Sequence, residues 1–374
     1  MNSTKFVFLI VVLLIVVGFA VWFMRAPETL VAPTLAPPAK PIGAVVEIKA
    51  PLGLPPVPIP ADNPPTAETI ALGRRLYYDP ALSVDNTISC ASCHGPECGF
   101  ADETPVSLGV RQQKGARNSP TVLNSAYWKE QFWDGRAPSL EKQAEGPMQN
   151  PVEMAHTLAG VEQKVMADAS YREEFKKAFG SDQITYEMVE KAIASFERTV
   201  LCGNSAFDRF QFGGDKKALS DSAQRGLKVF LDPKKGNCNA CHMIEEKYAL
   251  FTDNKYHNLG VGVDTRGNFA DIGRFEVTKV ESDRGAFRTP TLRNIAKTAP
   301  YMHDGSLKTL KDVIDFYVGG GNSNPHLDKE IHALDFLTGR ERADLVAFME
   351  SLTCEAPPNV GPPEKTTTAA SAKK

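Results

Sequence analysis

Hydrophobic and polar positions along the chain predict helices joined by turns, starting with an unusually apolar segment. Phe6 to Met24 is an unbroken apolar run, preceded by Lys5 and followed by Arg25. A bilayer-spanning helix needs about 20 apolar residues, whereas the apolar part of a secretory signal has about 7–15. Residues 1–25 are therefore predicted to be a membrane anchor, and a cleaved signal is the open alternative.

Two later segments share a helical apolar pattern that ends at Asp-Pro, namely GRRLYYDP at 73–80 and GLKVFLDP at 226–233. The proline stops the helix because it disfavours helical backbone at the residue before it. Two closing helices also match, since one runs through Phe196 and the other through Phe348. This repeat, with few strand signals, predicts a mainly α fold of two tandem domains, at 66–205 and 206–355.

The segments that flank this repeat have a different composition. Residues 26–65 contain twelve prolines and few charges, which predicts an extended, semi-rigid spacer after the anchor. Residues 356–374 are rich in Pro, Thr, Ala and Lys, which predicts a disordered tail. The whole chain of 374 residues has a formal net charge of −3 and no basic run, so nucleic acid is excluded as a partner.

Two CxxCH motifs carry the clearest chemistry of the sequence. One has Cys90, Cys93 and His94, and the other reads CNACH at 238–242. This is the attachment pattern of c-type haem, in which the thiols bind the porphyrin and the histidine binds the iron. A redox dithiol or half of a zinc site would use the same residues, but neither explains two copies after the same helix. We predict two covalent haem c groups, with Cys238, Cys241 and His242 holding the second, so that both tandem domains are cytochrome c-like. Because c-type haem is attached on the outer side of the bacterial cytoplasmic membrane, a periplasmic location is also predicted.

Three cysteines lie outside these motifs. Cys202 and Cys354 each follow a closing helix, and an oxidising compartment permits disulfides, so we predict that these two pair. Cys98 is left over and is predicted to be a buried thiol.

The segments around the haem motifs resemble the bacterial dihaem cytochrome c peroxidases and their relative MauG, which oxidises protein tryptophans. The resemblance extends over residues 61–355, and its motifs occur in the family's order. They are RNSPT at 117–121, FWDGR at 132–136, Gln143, GP at 146–147, NPVEM at 150–154, FRTPTLRN at 287–294 and APYMHDG at 299–305.

The resemblance implies a peroxide site at the haem on His94 and an electron-handling haem on His242. Glu153 would move the proton during O–O cleavage, Gln143 would orient peroxide, and Pro147 would shape the pocket. A buried carboxyl suits that role because burial raises its pKa towards neutrality. The alternative for Glu153 is a helix N-terminal carboxylate that interacts with the helix dipole.

The resemblance further implies that Trp133 bridges the two haems for electron transfer. It also implies a calcium ion between the haems, held by Asn118 and by the backbone carbonyls of Thr298 and Pro300. Oxygen ligands suit this hard cation. Relatives are often dimers, so a homodimer is a further expectation.

One departure from the family concerns the resting state of the first haem. Many dihaem peroxidases have a histidine after the Ser-x-Gly stretch, and it must leave the iron before peroxide binds. Here Val110 follows Ser107-Leu-Gly109, and a valine cannot bind iron. We predict a first haem that is five-coordinate or water-bound at rest and needs no reductive activation.

A second departure concerns the other haem. The usual peroxidases supply a methionine as its sixth ligand from the helix that here spans 309–317. Tyr317 shares one face of that helix with Leu310, Val313 and Ile314, and MauG has a ligating tyrosine at the aligned position. Tyr317 is therefore predicted to bind the second haem iron. A core tyrosine, with Met302 or Met243 as the ligand, is the alternative.

Other charged or aromatic side chains in the second half have two open interpretations. His257 and His303 would contact the haem surroundings or be core histidines. Arg284, Arg288 and Arg293 would neutralise haem propionates or face solvent.

The leading functional hypothesis is reduction of hydrogen peroxide to water, with electrons from a small periplasmic cytochrome c or cupredoxin. The second is a MauG-like enzyme that uses peroxide to oxidise residues of a partner protein through high-valent haem. Val110 and Tyr317 favour it, but MauG has a tryptophan two residues before its second CxxCH, where this chain has Gly236. The third is a dihaem electron carrier without catalysis.

Overall fold

The computed structural model describes residues 39–364, and helices dominate them. The antiparallel pair β1 (Tyr256–His257) and β2 (Phe287–Arg288) is the only named sheet in this part of the chain. The predicted mainly α fold is confirmed. The helices are α1 Ala67–Tyr78, α2 Leu140–Gln149, α3 Leu158–Ala167, α4 Ala169–Phe179, α5 Tyr186–Glu197, α6 Ala206–Gln211, α7 Asp221–Leu231, α8 Phe275–Thr278, α9 Leu310–Val318 and α10 Gly339–Glu350.

In the first half, α1 packs against α5. Helix α1 begins at a capping box, because the side chains of Thr66 and Thr69 each accept a hydrogen bond from the other's backbone N–H. The two helices cross at Gly73, where a Cβ atom would collide with the carbonyl oxygen of Ala192. Glycine is therefore required at this crossing.

In the second half, α7 and α10 repeat this arrangement. Helix α7 ends at Leu231, just before the second Asp-Pro pair. It crosses α10 at Gly226, where a Cβ atom would collide with the carbonyl oxygen of Asp344. The internal repeat in the sequence thus corresponds to one helix pair built twice.

The ends of these closing helices are joined covalently. Cys202 and Cys354 form a disulfide with a Cα–Cα distance of 5.7 Å, which confirms the predicted pairing. Cys98 is a free thiol as predicted, but it is half-exposed rather than buried.

Residues 40–65 pack against the helical body, so this part of the predicted spacer is not a separate linker. The Ile42 N–H donates to the carbonyl of Ala178, and Tyr127 donates its hydroxyl to the carbonyl of Pro55. Asn63 is completely buried. A proline-rich segment lacks donors, but its carbonyls and apolar rings remain available for packing, which composition does not reveal.

The beginning of the predicted disordered tail is likewise packed. Val360 is buried, and its carbonyl accepts a hydrogen bond from Tyr78. Arg74 donates to the carbonyls of Gly361 and Pro362. The predicted membrane anchor, residues 1–25, lies outside the described residues. Within residues 39–364, no helix has both the length and the apolar character that a membrane span requires.

A buried ion pair ties residues 40–65 to the second half. The guanidinium of Arg293 binds both carboxylate oxygens of Asp208 at 2.8 Å, and neither side chain is exposed. Arg293 also donates to the carbonyls of Gly53 and Ala249. Arg293 therefore neither faces solvent nor is available to a haem propionate.

We expect Asp208→Asn to lower the free energy of unfolding of the haem-loaded protein by about 3–5 kcal/mol. The substitution leaves the Arg293 charge buried without its counter-charge. Chemical denaturation measures the loss, with exposed Asp182→Asn as the matched control. Equal stability of the two variants would contradict this account.

Candidate active site

Both CxxCH motifs fold into the same short loop. A single 3-10 turn begins at Cys90 in one and at Cys238 in the other. In both loops the histidine N–H donates to the carbonyl of the first cysteine, at 3.0 Å for His94 and 2.9 Å for His242. Each loop thus holds two thiols and an imidazole in the same local arrangement, as attachment of one porphyrin requires.

The imidazole of His242 is oriented for binding iron. Its Nδ1 lies 3.0 Å from the carbonyl oxygen of Phe251, which leaves Nε2 for a metal. The Nδ1 atom of His94 is buried and has no such partner among the described residues. Burial lowers the pKa of both histidines, which keeps the neutral form that binds iron.

A large cavity opens beside the second loop and is lined mainly by apolar side chains. His242 and Tyr317 both line it. Tyr317 comes from α9, and burial raises the pKa of its phenol. Met302 also lines the cavity, whereas Met243 is not among its lining residues. The cavity therefore brings together the iron-binding histidine and two of its three candidate partners.

The unpaired charge of Arg288 bears on whether this cavity fits a haem. It lines the cavity and is only 2% exposed, but its Nη2 has no hydrogen-bond partner and it forms no salt bridge with any described residue. Burial lowers its pKa to about 10. A buried cation without a counter-charge is costly, and a haem propionate would supply that charge, so the residues fit the group.

The other three side chains with open interpretations, His257, His303 and Arg284, differ in their surroundings. His257 and His303 line the cavity. His257 lies between Asp253 and Asp328, at 3.0 and 2.6 Å. Its cluster with Asp253 and Cys241 has the spacing of a metal site, but Cys241 is one of the haem-attaching thiols. Arg284 forms a salt bridge with Glu281.

Trp133 is held by both halves of the protein. Its indole Nε1 donates to the Asn118 carbonyl at 2.8 Å, and its own carbonyl accepts from the N–H of Arg288. Its ring lies edge-on to His303, with centroids 6.5 Å apart, and it lines the cavity. The indole is therefore fixed in the wall of the cavity beside the second motif. Its bridging role between two haems remains a prediction.

The three predicted calcium ligands line this same cavity. The Nδ2 of Asn118 donates to the carbonyls of Thr104 and Pro105, at 3.3 and 3.2 Å, which leaves its Oδ1 free of hydrogen bonds to the described residues. The backbone carbonyls of Thr298 and Pro300 flank Ala299. A calcium ion at these oxygens remains a prediction.

Around the first haem motif, the structure brings Glu153 against Val110. The Val110 N–H donates to the backbone carbonyl of Glu153 at 2.8 Å, and Val110 is completely buried. The Glu153 carboxylate accepts from Asn150 at 2.6 Å. Burial raises the pKa of Glu153, and this effect outweighs the hydrogen bond from Asn150 and the charge of Arg136.

Gln143 and Pro147 stand one turn apart on α2, so their side chains share a face. The Gln143 side chain has no hydrogen-bond partner among the described residues, which leaves its amide available to a ligand. The Pro147 carbonyl accepts from the N–H of Met154, so the chain after α2 turns back towards the helix. This turn places the segment that contains Glu153 next to Pro147.

The sequence did not reveal which residues support Glu153 and helix α2. Asn150 holds the Glu153 carboxylate, and the guanidinium of Arg136 stacks 3.5 Å above the ring of Phe132. The Phe132 ring packs on Gly146 of α2. All of them belong to recognised motifs, but motif membership alone does not tell which neighbour each side chain contacts.

Comparisons with known proteins agree with this arrangement. Residues 67–217 match the family described as di-haem cytochrome c peroxidase. The chain is 40% identical to the methylamine utilization protein MauG of Methylorubrum extorquens, over 80% of this chain and 82% of that one. It is 39% identical to cytochrome c551 peroxidase of Nitrosomonas europaea, over 80% and 84% of the two chains.

A solved structure supports the same relationship. A MauG-like protein associated with microbial copper homeostasis superposes with a TM-score of 0.73 at 36% identity, over 82% of this chain and 95% of the other. The haem-attaching loops and the cavity that fits a haem agree with this relationship. The relatives also match over most of their length. The chain belongs to the dihaem cytochrome c peroxidase and MauG family and is an oxidoreductase that acts on peroxide.

Proposed function

We propose that the protein reduces hydrogen peroxide to water at the haem held by His94, with electrons from a small periplasmic cytochrome c or cupredoxin. The observation that carries this proposal is Glu153, a largely buried carboxyl with a raised pKa beside Val110. A simple electron carrier has no need of a protonatable group in that position.

The haem iron supplies the electron chemistry of peroxide cleavage when it is bound. Glu153 accepts the proton from one peroxide oxygen and returns it to the oxygen that leaves as water. Asn150 holds the carboxylate in place through its 2.6 Å hydrogen bond. Gln143 donates its free amide to peroxide, and Pro147 limits the space on the same helix face.

Electrons reach this site from the second half of the protein in the proposal. The donor delivers them one at a time near His242, and Trp133 lies on the route because it is bonded to both halves. Two electrons and two protons convert each peroxide to two waters. The same proposal includes a calcium ion at Asn118, a periplasmic location, tethering by residues 1–25 and a homodimer.

A second candidate is a MauG-like activity, in which the oxidising equivalents are spent on a residue of a partner protein. Tyr317 favours it, because this phenol and His242 line one cavity. Gly236 weakens it, because no redox-active side chain stands at that position. Trp128, whose ring lies under the Arg288 guanidinium at 3.9 Å and lines the same cavity, is the side chain that would replace the missing tryptophan.

The test is steady-state peroxide turnover by fully oxidised protein with a reduced monohaem cytochrome. We expect turnover from the first seconds without prior reduction, because Val110 leaves the first iron open. Val110→His supplies an imidazole beside Glu153. If this imidazole occupies the iron in nine molecules of ten, the initial rate falls about tenfold.

Prior reduction should restore activity to Val110→His and leave the parent unchanged. Absence of cytochrome oxidation by the parent, with rapid peroxide consumption, would favour the MauG-like candidate. A parent that needs prior reduction would contradict the open first iron.

A further inference from the structure

The repeated helix pair sets a residue-by-residue correspondence between α5 and α10. Gly73 meets Ala192 in the first half, and Gly226 meets Asp344 in the second. Phe196 and Phe348 are the next contacts of the same two glycines, and the disulfide joins Cys202 to Cys354. These three pairs share one offset, and the disulfide gives it as 152 residues.

This offset pairs Glu197 with Met349. Met349 is 6% exposed and lines the cavity that fits the second haem. Glu197 is equally buried, at 5% exposed. The first half therefore has a carboxyl where the second half has a thioether in the wall of its haem cavity.

The surroundings of Glu197 agree with that placement. It interacts electrostatically with Cys90, one of the two thiols that attach the first haem, and with Tyr77 of α1. Tyr77 in turn donates its hydroxyl to the His94 carbonyl at 2.9 Å. Two independent features, the repeat and these neighbours, thus bring Glu197 to the attachment edge of the first haem.

No neighbour neutralises the Glu197 carboxyl directly. It forms no salt bridge or side-chain hydrogen bond with the described residues. Arg198 follows it, but that guanidinium binds Glu141 of α2 at 2.7 Å. Burial raises the pKa of Glu197 to about 8, with the Arg198 charge lowering it and the Glu141 charge raising it. The proposed peroxide chemistry does not use the Glu197 carboxyl.

We propose that Glu197 faces the haem attached at Cys90 and takes up a proton when that haem is reduced. One electron from an external one-electron reductant would convert ferric to ferrous haem, and one proton from solvent would convert the Glu197 carboxylate to the neutral acid. The net charge of the buried site is then unchanged, which avoids the cost of an uncompensated charge in a poorly solvated place. Glu197 therefore compensates the change in haem charge and does not touch peroxide.

The charged and titratable groups that face Glu197 are few. Arg198 and Glu141 form their own ion pair, Tyr77 is neutral because burial raises its phenol pKa, and Cys90 has no titratable thiol once haem is attached. Glu153 is the other carboxyl of this haem site, since it interacts electrostatically with Cys93. The experiment must therefore separate Glu197 from Glu153.

The test is an optical redox titration of the first haem in the intact dihaem protein, repeated between about pH 6 and 10. We expect the midpoint potential to fall by about 59 mV per pH unit where Glu197 changes protonation, which is one proton per electron. Glu197→Gln and Glu197→Met should both abolish this slope, and Glu153→Gln should retain it. Glu197→Met introduces the residue that stands at the corresponding position of α10, where Met349 is packed in the wall of the second haem cavity.

Two results would overturn the proposal. One is a potential of the parent protein that does not change with pH. The other is a slope that survives in both Glu197 variants while each still carries two covalent haems. The inference rests on the haem at His94 but uses no peroxide and no protein donor, so it can fail or stand independently of the proposed function.

Discussion

Glu153→Gln is expected to reduce kcat/KM for hydrogen peroxide by about 10²–10⁴-fold, the usual contribution of a positioned acid–base group. Glutamine keeps the size of the side chain and can still receive the Asn150 hydrogen bond through its carbonyl oxygen. It cannot accept and return a proton. The loss should therefore appear in the peroxide-dependent step, measured by stopped-flow mixing of oxidised protein with peroxide.

The binding of both haems should be unaffected, because Glu153 contacts neither attachment loop through a hydrogen bond. Glu173→Gln is the matched control, since Glu173 is exposed on α4 in the same half. Its rate should equal that of the parent. If Glu153→Gln consumes peroxide as fast as this control, the proposed proton transfer is wrong. A helix N-terminal role does not replace it, because Glu153 lies in the turn after α2 and α3 begins only at Leu158.

Asn150→Ala separates position from chemistry at the same site. It keeps the carboxyl and removes the 2.6 Å hydrogen bond that orients it. This hydrogen bond also lowers the pKa of Glu153, so its loss should raise that pKa further. A peroxide rate between those of the parent and Glu153→Gln would fit this supporting role.

The sequence was sufficient for those parts of the site that are set by local spacing. The two CxxCH loops, the helix before each and the disulfide all follow from short motifs or from the repeat. Val110 and Tyr317 were singled out because each replaces a residue type that can be read at one position. Local spacing fixes the loops, the repeat indicates the disulfide, and the family resemblance identifies the two substituted positions.

Features that depend on long-range contacts were not predictable. The proline content of residues 26–65 suggested a spacer, but residues 40–65 are anchored by groups far along the chain, including Arg293 at the Gly53 carbonyl. Arg288 and Arg293 are five residues apart and looked alike in sequence. Arg288 has no counter-charge among residues 39–364, whereas Arg293 is neutralised by Asp208.

Tyr317 is the position where a single substitution should most strongly change the second haem. An anionic phenolate stabilises ferric iron, whereas a thioether favours ferrous iron, and axial ligands move haem potentials over about 0.8 V. Burial raises the pKa of Tyr317, so its phenol ionises here only if a nearby positive metal compensates the charge. The hydroxyl has no hydrogen-bond partner among the described residues, which is what a group reserved for a metal would show.

We expect Tyr317→Met to raise the midpoint potential of the second haem by some hundreds of millivolts, on the order of half the range that axial ligands cover. Redox titration measures the shift, and the ferric spectrum should gain the red charge-transfer band of methionine ligation. Tyr317→Phe should lose the sixth ligand instead and become high-spin. Tyr301→Phe is the matched control, because Tyr301 lines the same cavity but its hydroxyl donates to the Ile295 carbonyl at 3.1 Å. A ferric spectrum that is unchanged in Tyr317→Phe would exclude the phenolate ligand and leave Met302, which lines the same cavity, as the candidate.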